Sequence, residues 1–388
     1  MITRLEVSNY RSLGEDVRLD LGQFTALVGQ NGSGKSNVAD AFRFVSEALR
    51  LGLDSAITSR HGIRAVRRWS SGRPFNLKIR ILVSDQVFNG GYEFELTGDR
   101  AEEYRVKHEH GWLTPADDFL RKDHEFTVDA TGWHGPSDLR PDVSHGRLAL
   151  PVVAGDERFR PLADALRDVE VYSVFPDTLR QPQKHDPIRP MRRHGENWTT
   201  ILRGIGDDAK SDMKAALGRL TGDITDVRVS PVAGFLTAEF FHLPQAQDGQ
   251  RGRGKRLKWF DAAQESDGTL RFAGILTALL QDPAPRLIGI EEPELTVHVG
   301  AIRLLYDFVH EAARKTQVLV TTHCPELLDL LNADDVRVVT RTGGVTAVAK
   351  LHRCQVEMVR KHLMTLGEVA RTEGLQPDEP DALAVAEN

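Results

Sequence analysis

Eight consecutive residues carry the most specific chemistry in the chain. Gly29-Gln30-Asn31-Gly32-Ser33-Gly34-Lys35-Ser36 fits the pattern G-x-x-x-x-G-K-[ST] in full. Its glycines let successive backbone N–H groups turn inward around a polyphosphate, and a following helix presents its positive end to the same anion. Asn31, Gly32, Ser33, Gly34 and Asn37 would form the cradle, with Lys35 on the β- and γ-phosphates and the Ser36 hydroxyl on Mg²⁺. A glycine-rich turn is the plain alternative. Two further runs argue against it. Leu287-Ile288-Gly289-Ile290-Glu291-Glu292 is an apolar strand ending in two carboxylates, the first suited to hold Mg²⁺ and the second to polarise an attacking water. Val318-Leu319-Val320-Thr321-Thr322-His323 puts a histidine at another strand end, where open α/β sheets line their ligand crevice. His323 therefore reads as a γ-phosphate sensor.

The surrounding pattern is one that positions such groups. Phe24–Val28 is a short apolar run before the loop, and Val38, Phe42, Val45 and Leu49 recur on one helical face after it. Helices expected at Thr269–Leu280 and Ala301–Ala313 lead into the two apolar strands, the αβαβ order of a parallel sheet. Residues 2–7, 17–21, Leu77–Val83 and Tyr92–Leu96 alternate as half-buried strands do. Asn89-Gly90-Gly91 between the last two predicts a hairpin turn. From 106 to 160 the signal is weak, apart from a strand at Glu125–Val128. A helix is expected at Ser211–Leu220, then strands at Asp226–Val229 and Phe235–Phe241 and a polar loop at Gln245–Lys258. A late hairpin runs through Gly343-Gly344.

Taken in order, these motifs resemble the ABC-type ATPase heads of the RecF/SMC-like superfamily, and most of all the compact AAA-family ATPases related to OLD-family proteins. The carrying piece is Glu265-Ser266-Asp267-Gly268-Thr269-Leu270-Arg271, which looks like that group's variant of the ABC signature. It lies between the phosphate loop and the carboxylate pair, as in ABC proteins. Asn9-Tyr10-Arg11-Ser12, Glu292-Pro293-Glu294-Leu295 and Thr322-His323-Cys324-Pro325-Glu326 add to the likeness. So do Tyr172–Arg180 and Gly195-Glu196-Asn197-Trp198, which resemble the lid region and leave Gln181 or Gln183 as the Q-loop glutamine. Glu291 stands where most such ATPases carry aspartate, and Val299 stands where the family often has proline after His298.

The resemblance implies an α/β, ABC-type P-loop ATPase head with a mixed central sheet, an antiparallel β-subdomain and a helical lid insertion. It implies an N-terminal half at 1–105, an insertion at 106–254 and a C-terminal half at 255–388. ATP and Mg²⁺ are the implied ligands, with Arg11 approaching the nucleotide and Lys35, Glu292 and His323 as catalytic residues. Two heads would sandwich two ATP molecules, with Ser266, Asp267 and Gly268 of one subunit acting on the nucleotide of the other. A homodimer or higher assembly follows from that.

Composition narrows the output. With 40% hydrophobic and 27% charged residues the chain can bury a core, which excludes a disordered protein. No apolar run reaches about 18 residues, so no membrane partner is expected. Cys324 and Cys354 are the only cysteines, too few for a disulfide framework, which fits a cytoplasmic protein. Against a net charge of −6, two basic clusters stand out. Arg60, Arg64, Arg67, Arg68 and Arg73 surround Trp69, and Arg251, Arg253, Lys255, Arg256 and Lys258 precede Trp259. Arginines with an interleaved aromatic suit a phosphate backbone plus base stacking, so Arg64, Arg67, Arg68, Arg253 and Arg256 are DNA candidates, with Arg189, Arg192 and Arg193 as a further surface. A solvated charged face is the alternative. His108, His110, His124, His134 and His145 fit no metal-ligand spacing and read as surface histidines. The residues after the last hairpin are too few for the Toprim nuclease of OLD-family proteins, so a nuclease or toxin partner would be a separate chain.

Three outputs compete. One is ATP-driven dimerisation controlling DNA repair or defence against foreign DNA. Another is a nucleotide-gated scaffold regulating a protein effector without DNA. The third, a transporter's nucleotide-binding subunit, is disfavoured by the S-D-G-T signature and the long insertion.

Overall fold

A computed structural model of the protein describes residues 1–116, 124–142, 146–243 and 258–378. They fall into two units, Met1–Val171 with Leu331–Asn388, and Tyr172–Leu330. No helix among the described residues is long and apolar enough to cross a membrane.

The first unit begins with β1 (Ile2–Ser8), β2 (Val17–Asp20), β3 (Phe24–Val28) and α1 (Lys35–Leu51). It continues with β4 (Leu77–Ser84), β5 (Phe88–Thr97), β6 (Arg105–Pro115), β7 (His124–Asp129) and β8 (Gly132–His134). Seven of these strands make an antiparallel sheet in the order β2-β1-β4-β5-β6-β7-β8. Alternation decides its faces: Leu77, Ile79, Ile81 and Val83 of β4 are buried while Lys78 and Arg80 point outward. α1 packs on the buried face through Phe44, whose ring lies 5.4 Å from Tyr10 and 6.3 Å from Phe94. Strand β3 belongs to a second, mixed sheet. It pairs in parallel with Val336–Thr342, which pairs antiparallel with Val345–Lys350.

The second unit has a parallel pair, Leu287–Glu291 with Gln317–Thr322, in which every residue is buried. It also has a three-stranded antiparallel sheet (Ile224–Val232, Phe235–His242, Lys258–Asp261) and helices that include Trp198–Gly204, Asp207–Thr221 and Asp267–Leu280. The expected α/β class, with its antiparallel subdomain and helical region, is present. The late hairpin also forms where its glycines predicted it.

Two expectations change. The turn between β4 and β5 is not at Asn89-Gly90-Gly91. It lies at Asp85–Val87, where the Asp85 carboxylate accepts from the N–H groups of Val87 (2.8 Å) and Phe88 (3.0 Å). Gly90 and Gly91 sit inside β5 because Trp112 of β6 crosses there. A Cβ on Gly90 would lie 2.4 Å from the Trp112 carbonyl oxygen, and one on Gly91 would lie 2.3 Å from the Trp112 ring. The boundary expected at 105 also falls inside one sheet, since β6 pairs with β5 along its length. The weakly patterned stretch after 106 supplies three strands of that sheet. Glu109 of β6 helps to explain this: its buried carboxylate accepts from Tyr92 Oη (2.9 Å) and the N–H groups of Ala149 (2.6 Å) and Leu150 (2.8 Å), fastening the next segment to the sheet. Burial pushes that carboxyl up to about 7.

The outer face of the sheet carries paired charge. His108 lies 3.4 Å from Glu93, and His110 lies 2.8 Å from Glu125 and stacks on Trp112. His145 lies outside the described residues. Gly90→Ala should lower stability by about 1–3 kcal/mol through overpacking against a backbone atom. Gly72→Ala, with open space around its Cβ, should leave the thermal midpoint unchanged. Thermal unfolding of the two variants checks the pair.

Candidate nucleotide site

The phosphate loop follows a fully buried strand and opens α1. Gly32 (φ +78°) and Gly34 (φ +106°) take a backbone conformation that side chains disfavour. Gly34 is required a second time, because a Cβ there would lie 2.3 Å from Thr346 Oγ1. Lys35 is buried, its ammonium donating to the carbonyls of Gly29 (2.8 Å) and Gln30 (3.1 Å), so the cation is held within the loop. Ser36 is exposed at the first turn of the helix.

A directional chain of hydrogen bonds braces the loop. Asn37 Nδ2 donates to Ser12 Oγ (2.6 Å), Ser12 Oγ lies 2.8 Å from Thr346 Oγ1, and Thr346 Oγ1 donates to the Ser33 carbonyl (2.8 Å). Thr346 is further tied to Ser12 and Gly14 by main-chain bonds of 2.7 and 3.1 Å. Arg341 Nη1 donates to the Gly32 carbonyl at 3.3 Å.

Beneath the loop, Asp40 projects from the buried face of α1. It accepts from Tyr10 Oη (2.6 Å), from Arg60 Nε (3.0 Å) and Nη2 (2.9 Å), and from Arg43, and Arg11 lies 3.1 Å away. Burial alone would raise its pKa, but the bonds and charge of Arg60 outweigh that and hold the carboxyl well below the usual range. Burial, then the Asp40 charge, pushes the Tyr10 hydroxyl far up. Arg11 has φ +50°, a strained backbone kept by these contacts, and its guanidinium lies beside Asn37 at 3.5 Å.

In the second unit, Glu291 ends its strand buried and accepts from Arg193 Nη2 at 2.9 Å. Glu292 turns the chain with φ +45°, its N–H donating to the Thr321 carbonyl at 2.9 Å. Its carboxylate comes within 3.3 Å of His323 Nδ1. Buried Arg271 donates to the carbonyls of Val174 (2.6 Å), Glu291 (3.2 Å) and Glu292 (3.0 Å), so the turn is pinned from below. Glu294 accepts from Thr322 Oγ1 at 2.6 Å, and burial raises its pKa.

Ser266 caps the Asp267–Leu280 helix, its Oγ accepting from Thr269 N–H at 3.2 Å. Ser266 and Asp267 are exposed, and Asp267 pairs with Arg180. Gly268 packs against the Thr296 carbonyl, 2.6 Å from where a Cβ would stand. Just before the cap, Glu265 lies 2.7 Å from His242, whose other nitrogen lies 2.9 Å from Asp223. The two carboxylates raise the histidine's pKa against the opposing effect of burial. Gln183 is spent on structure: its amide donates to the Gly195 carbonyl (2.7 Å) and accepts from Thr199 N–H (2.9 Å). Gln181 is the exposed one of the pair.

The basic clusters are corrected. Arg60 is buried and consumed by Asp40 and Glu47, and Arg67 is buried with its guanidinium on the Glu103 carbonyl. Arg192 pairs with Asp186 and Arg193 with Glu291. Arg64, Arg68 and the exposed Trp69 line, together with the buried Arg60 and Arg67, an open cavity of about 1090 Å³ that also reaches Arg11, Ser12 and Asn37. Arg253 and Arg256 lie outside the described residues.

Sequence reading missed Thr346, which no local pattern marks, and took Arg271 only as the last residue of the signature run, not as the support of the Glu291–Glu292 turn. It also missed Asp40, for which a signal existed: an acid amid the apolar stripe Val38, Phe42 and Val45. Thr346→Val should keep the strand but cost the Ser33 carbonyl its partner, an effect of about 1–3 kcal/mol. ATP affinity should fall roughly tenfold. Thr346→Ser should restore it, as equilibrium binding of a fluorescent ATP analogue would report.

No curated protein matches the sequence. Among solved structures the chain is similar to an Smc head bound to the C-winged helix domain of ScpA, with 17% identity over 91% of this chain and 99% of that one and a TM-score of 0.49. A Pyrococcus furiosus Smc head with an extended coiled coil, bound to the C-terminal domain of ScpA, gives 13%, 93%, 99% and 0.49. The Thermotoga maritima SMC head gives 11%, 90%, 99% and 0.42. One family model, described as "AAA domain, putative AbiEii toxin, Type IV TA system", matches residues 24–329, from the strand before the phosphate loop to beyond the histidine turn. The chain belongs to that family of AAA-domain ATPases.

Proposed function

We propose that the protein binds and hydrolyses ATP with Mg²⁺, and that ATP-driven dimerisation of two heads controls a defence or DNA-repair output. The observation that carries the reading is the braced phosphate loop, with its lysine held inside a ring of backbone groups and its first helical hydroxyl exposed. Mg²⁺ prefers oxygen ligands, and the Ser36 hydroxyl and the Glu291 carboxylate are each of that kind. When bound, Mg²⁺ would neutralise charge on the phosphates. Lys35 adds a fixed positive charge at the γ-phosphate, and Glu292 takes a proton from the attacking water. His323, whose Nδ1 lies 3.3 Å from the Glu292 carboxylate without a hydrogen bond, senses the γ-phosphate. Ser266, Asp267 and Gly268 act from the second subunit, where an exposed helix start with a hydroxyl suits an anion. The family's description as a toxin of a type IV toxin–antitoxin system supports defence over repair.

A second reading, a nucleotide-gated scaffold for a protein effector, is favoured by one observation. Burial of Arg60 and Arg67 leaves two of the five arginines around Trp69 little surface to offer to DNA.

Lys35→Ala should abolish ATP binding. Glu292→Gln should keep binding while turnover falls about 10²–10⁴-fold. Ser266→Arg should bind ATP yet hydrolyse poorly, and mixing it with Lys35→Ala should restore some activity, because one site of the mixed dimer is whole. Phosphate release and nucleotide binding are the measurements. No rescue, with mixed dimers shown to form, refutes the sandwich.

For DNA, replacing Arg64 and Arg68 with Ala should weaken binding to all sequences alike. The log–log salt slope on duplex should flatten by up to about 2. Wild-type protein without salt-sensitive DNA binding would leave the scaffold reading.

A further inference from the structure

Among the described charges of the second unit, the contact between Arg193 and Glu291 is the one that bears directly on the expected metal ligand. The Glu291 side chain is 8% exposed and that of Arg193 32% exposed, with Nη2 2.9 Å from Oε2. A carboxylate this buried needs a counter-charge, and the guanidinium supplies it. A divalent cation on the same carboxylate would meet a fixed positive charge at hydrogen-bond distance. The two cations therefore compete for the same carboxylate.

The backbone that carries Arg193 is firmly held. Its carbonyl accepts from Ser173 N–H at 3.0 Å, and Arg192 N–H donates to Asn197 Oδ1 at 2.7 Å. Gln183 Nε2 donates to the Gly195 carbonyl at 2.7 Å, and Asn197 Nδ2 donates to the Ile188 carbonyl at 3.0 Å. Only the side chain is left to move. Its closed position is also imperfect: Arg193 Nε is buried without a hydrogen-bond partner. An unmet buried donor makes that position easier to leave.

We propose that Arg193 is a counter-ion gate. It occupies the metal-side carboxylate of Glu291 in the metal-free protein, and its guanidinium swings away when the metal arrives. The gate keeps Glu291 neutralised without nucleotide and raises the metal concentration needed for metal-assisted binding. This rests on the reading of Glu291 as the metal-holding acid.

The test is binding of a fluorescent, non-hydrolysable ATP analogue to the full chain, in EDTA and over a series of Mn²⁺ concentrations. Arg193→Gln should reach half of the metal-dependent gain at roughly tenfold lower Mn²⁺, with affinity in EDTA unchanged. Arg193→Lys, which keeps the charge on a more strongly hydrated head, should shift the same way by less. Should the glutamine variant not fold, the lysine variant alone decides. An unchanged or higher Mn²⁺ requirement in the folded variant overturns the gate. Glu291→Gln separates the two ideas. If it raises the Mn²⁺ requirement while the Arg193 variants leave it alone, only the gate fails. If it changes nothing, the metal role of Glu291 fails as well.

Discussion

A carboxylate on the buried face of α1 needs compensation, and the first unit is arranged to supply it. Asp40 gathers Tyr10, Arg11, Arg43 and Arg60 from three stretches of chain. A buried ion pair adds little net stability over an apolar equivalent, yet breaking one strands a charge at a cost of about 3–5 kcal/mol. The value of Asp40 therefore lies in position. It holds the 9–12 turn, with its two left-handed residues Asn9 and Arg11, against the helix that begins at the phosphate loop. From that turn Ser12 hands a hydrogen bond to Thr346 and on to the loop carbonyl.

The second unit follows the same logic with a cation. Arg271 lies under the strand end and donates to the Glu291 and Glu292 carbonyls at the turn and to the Val174 carbonyl. The left-handed Glu292 is strained on its own, and these bonds over-determine it. Preorganisation of this kind is how a site stabilises developing charge without moving when it forms. In each unit the motif region thus rests on a buried charged group.

Charge counts misled where pairing was hidden. Arg60 and Arg67 look alike in a basic run with Arg64 and Arg68, but the fold turns the first two inward, onto Asp40 and onto a carbonyl of the 100–104 turn. Arg193 meets a carboxylate 98 residues away. Gly90-Gly91 misled for a related reason. A glycine pair marks either a turn or a close approach, and here the approach comes from Trp112, on the neighbouring strand.

Local rules determined much of this protein. Loop spacing, apolar runs ending in carboxylates or a histidine, and the helical stripe after Lys35 are short-range patterns set by backbone sterics and periodicity. They placed the glycine-rich loop between its strand and helix, the strand that ends at Glu291, the helix that Ser266 caps and the late hairpin from residue order alone. The tertiary structure decided which charges are spent inside and which glycines yield to a neighbour. It also decided that β6, β7 and β8 extend an existing sheet, and which threonine, Thr346, closes the loop. Those outcomes depend on partners up to more than 300 residues apart, as Ser12 and Thr346 are. Burial and hydrogen-bond satisfaction select such partners only once the chain is packed, so no window of sequence contains them.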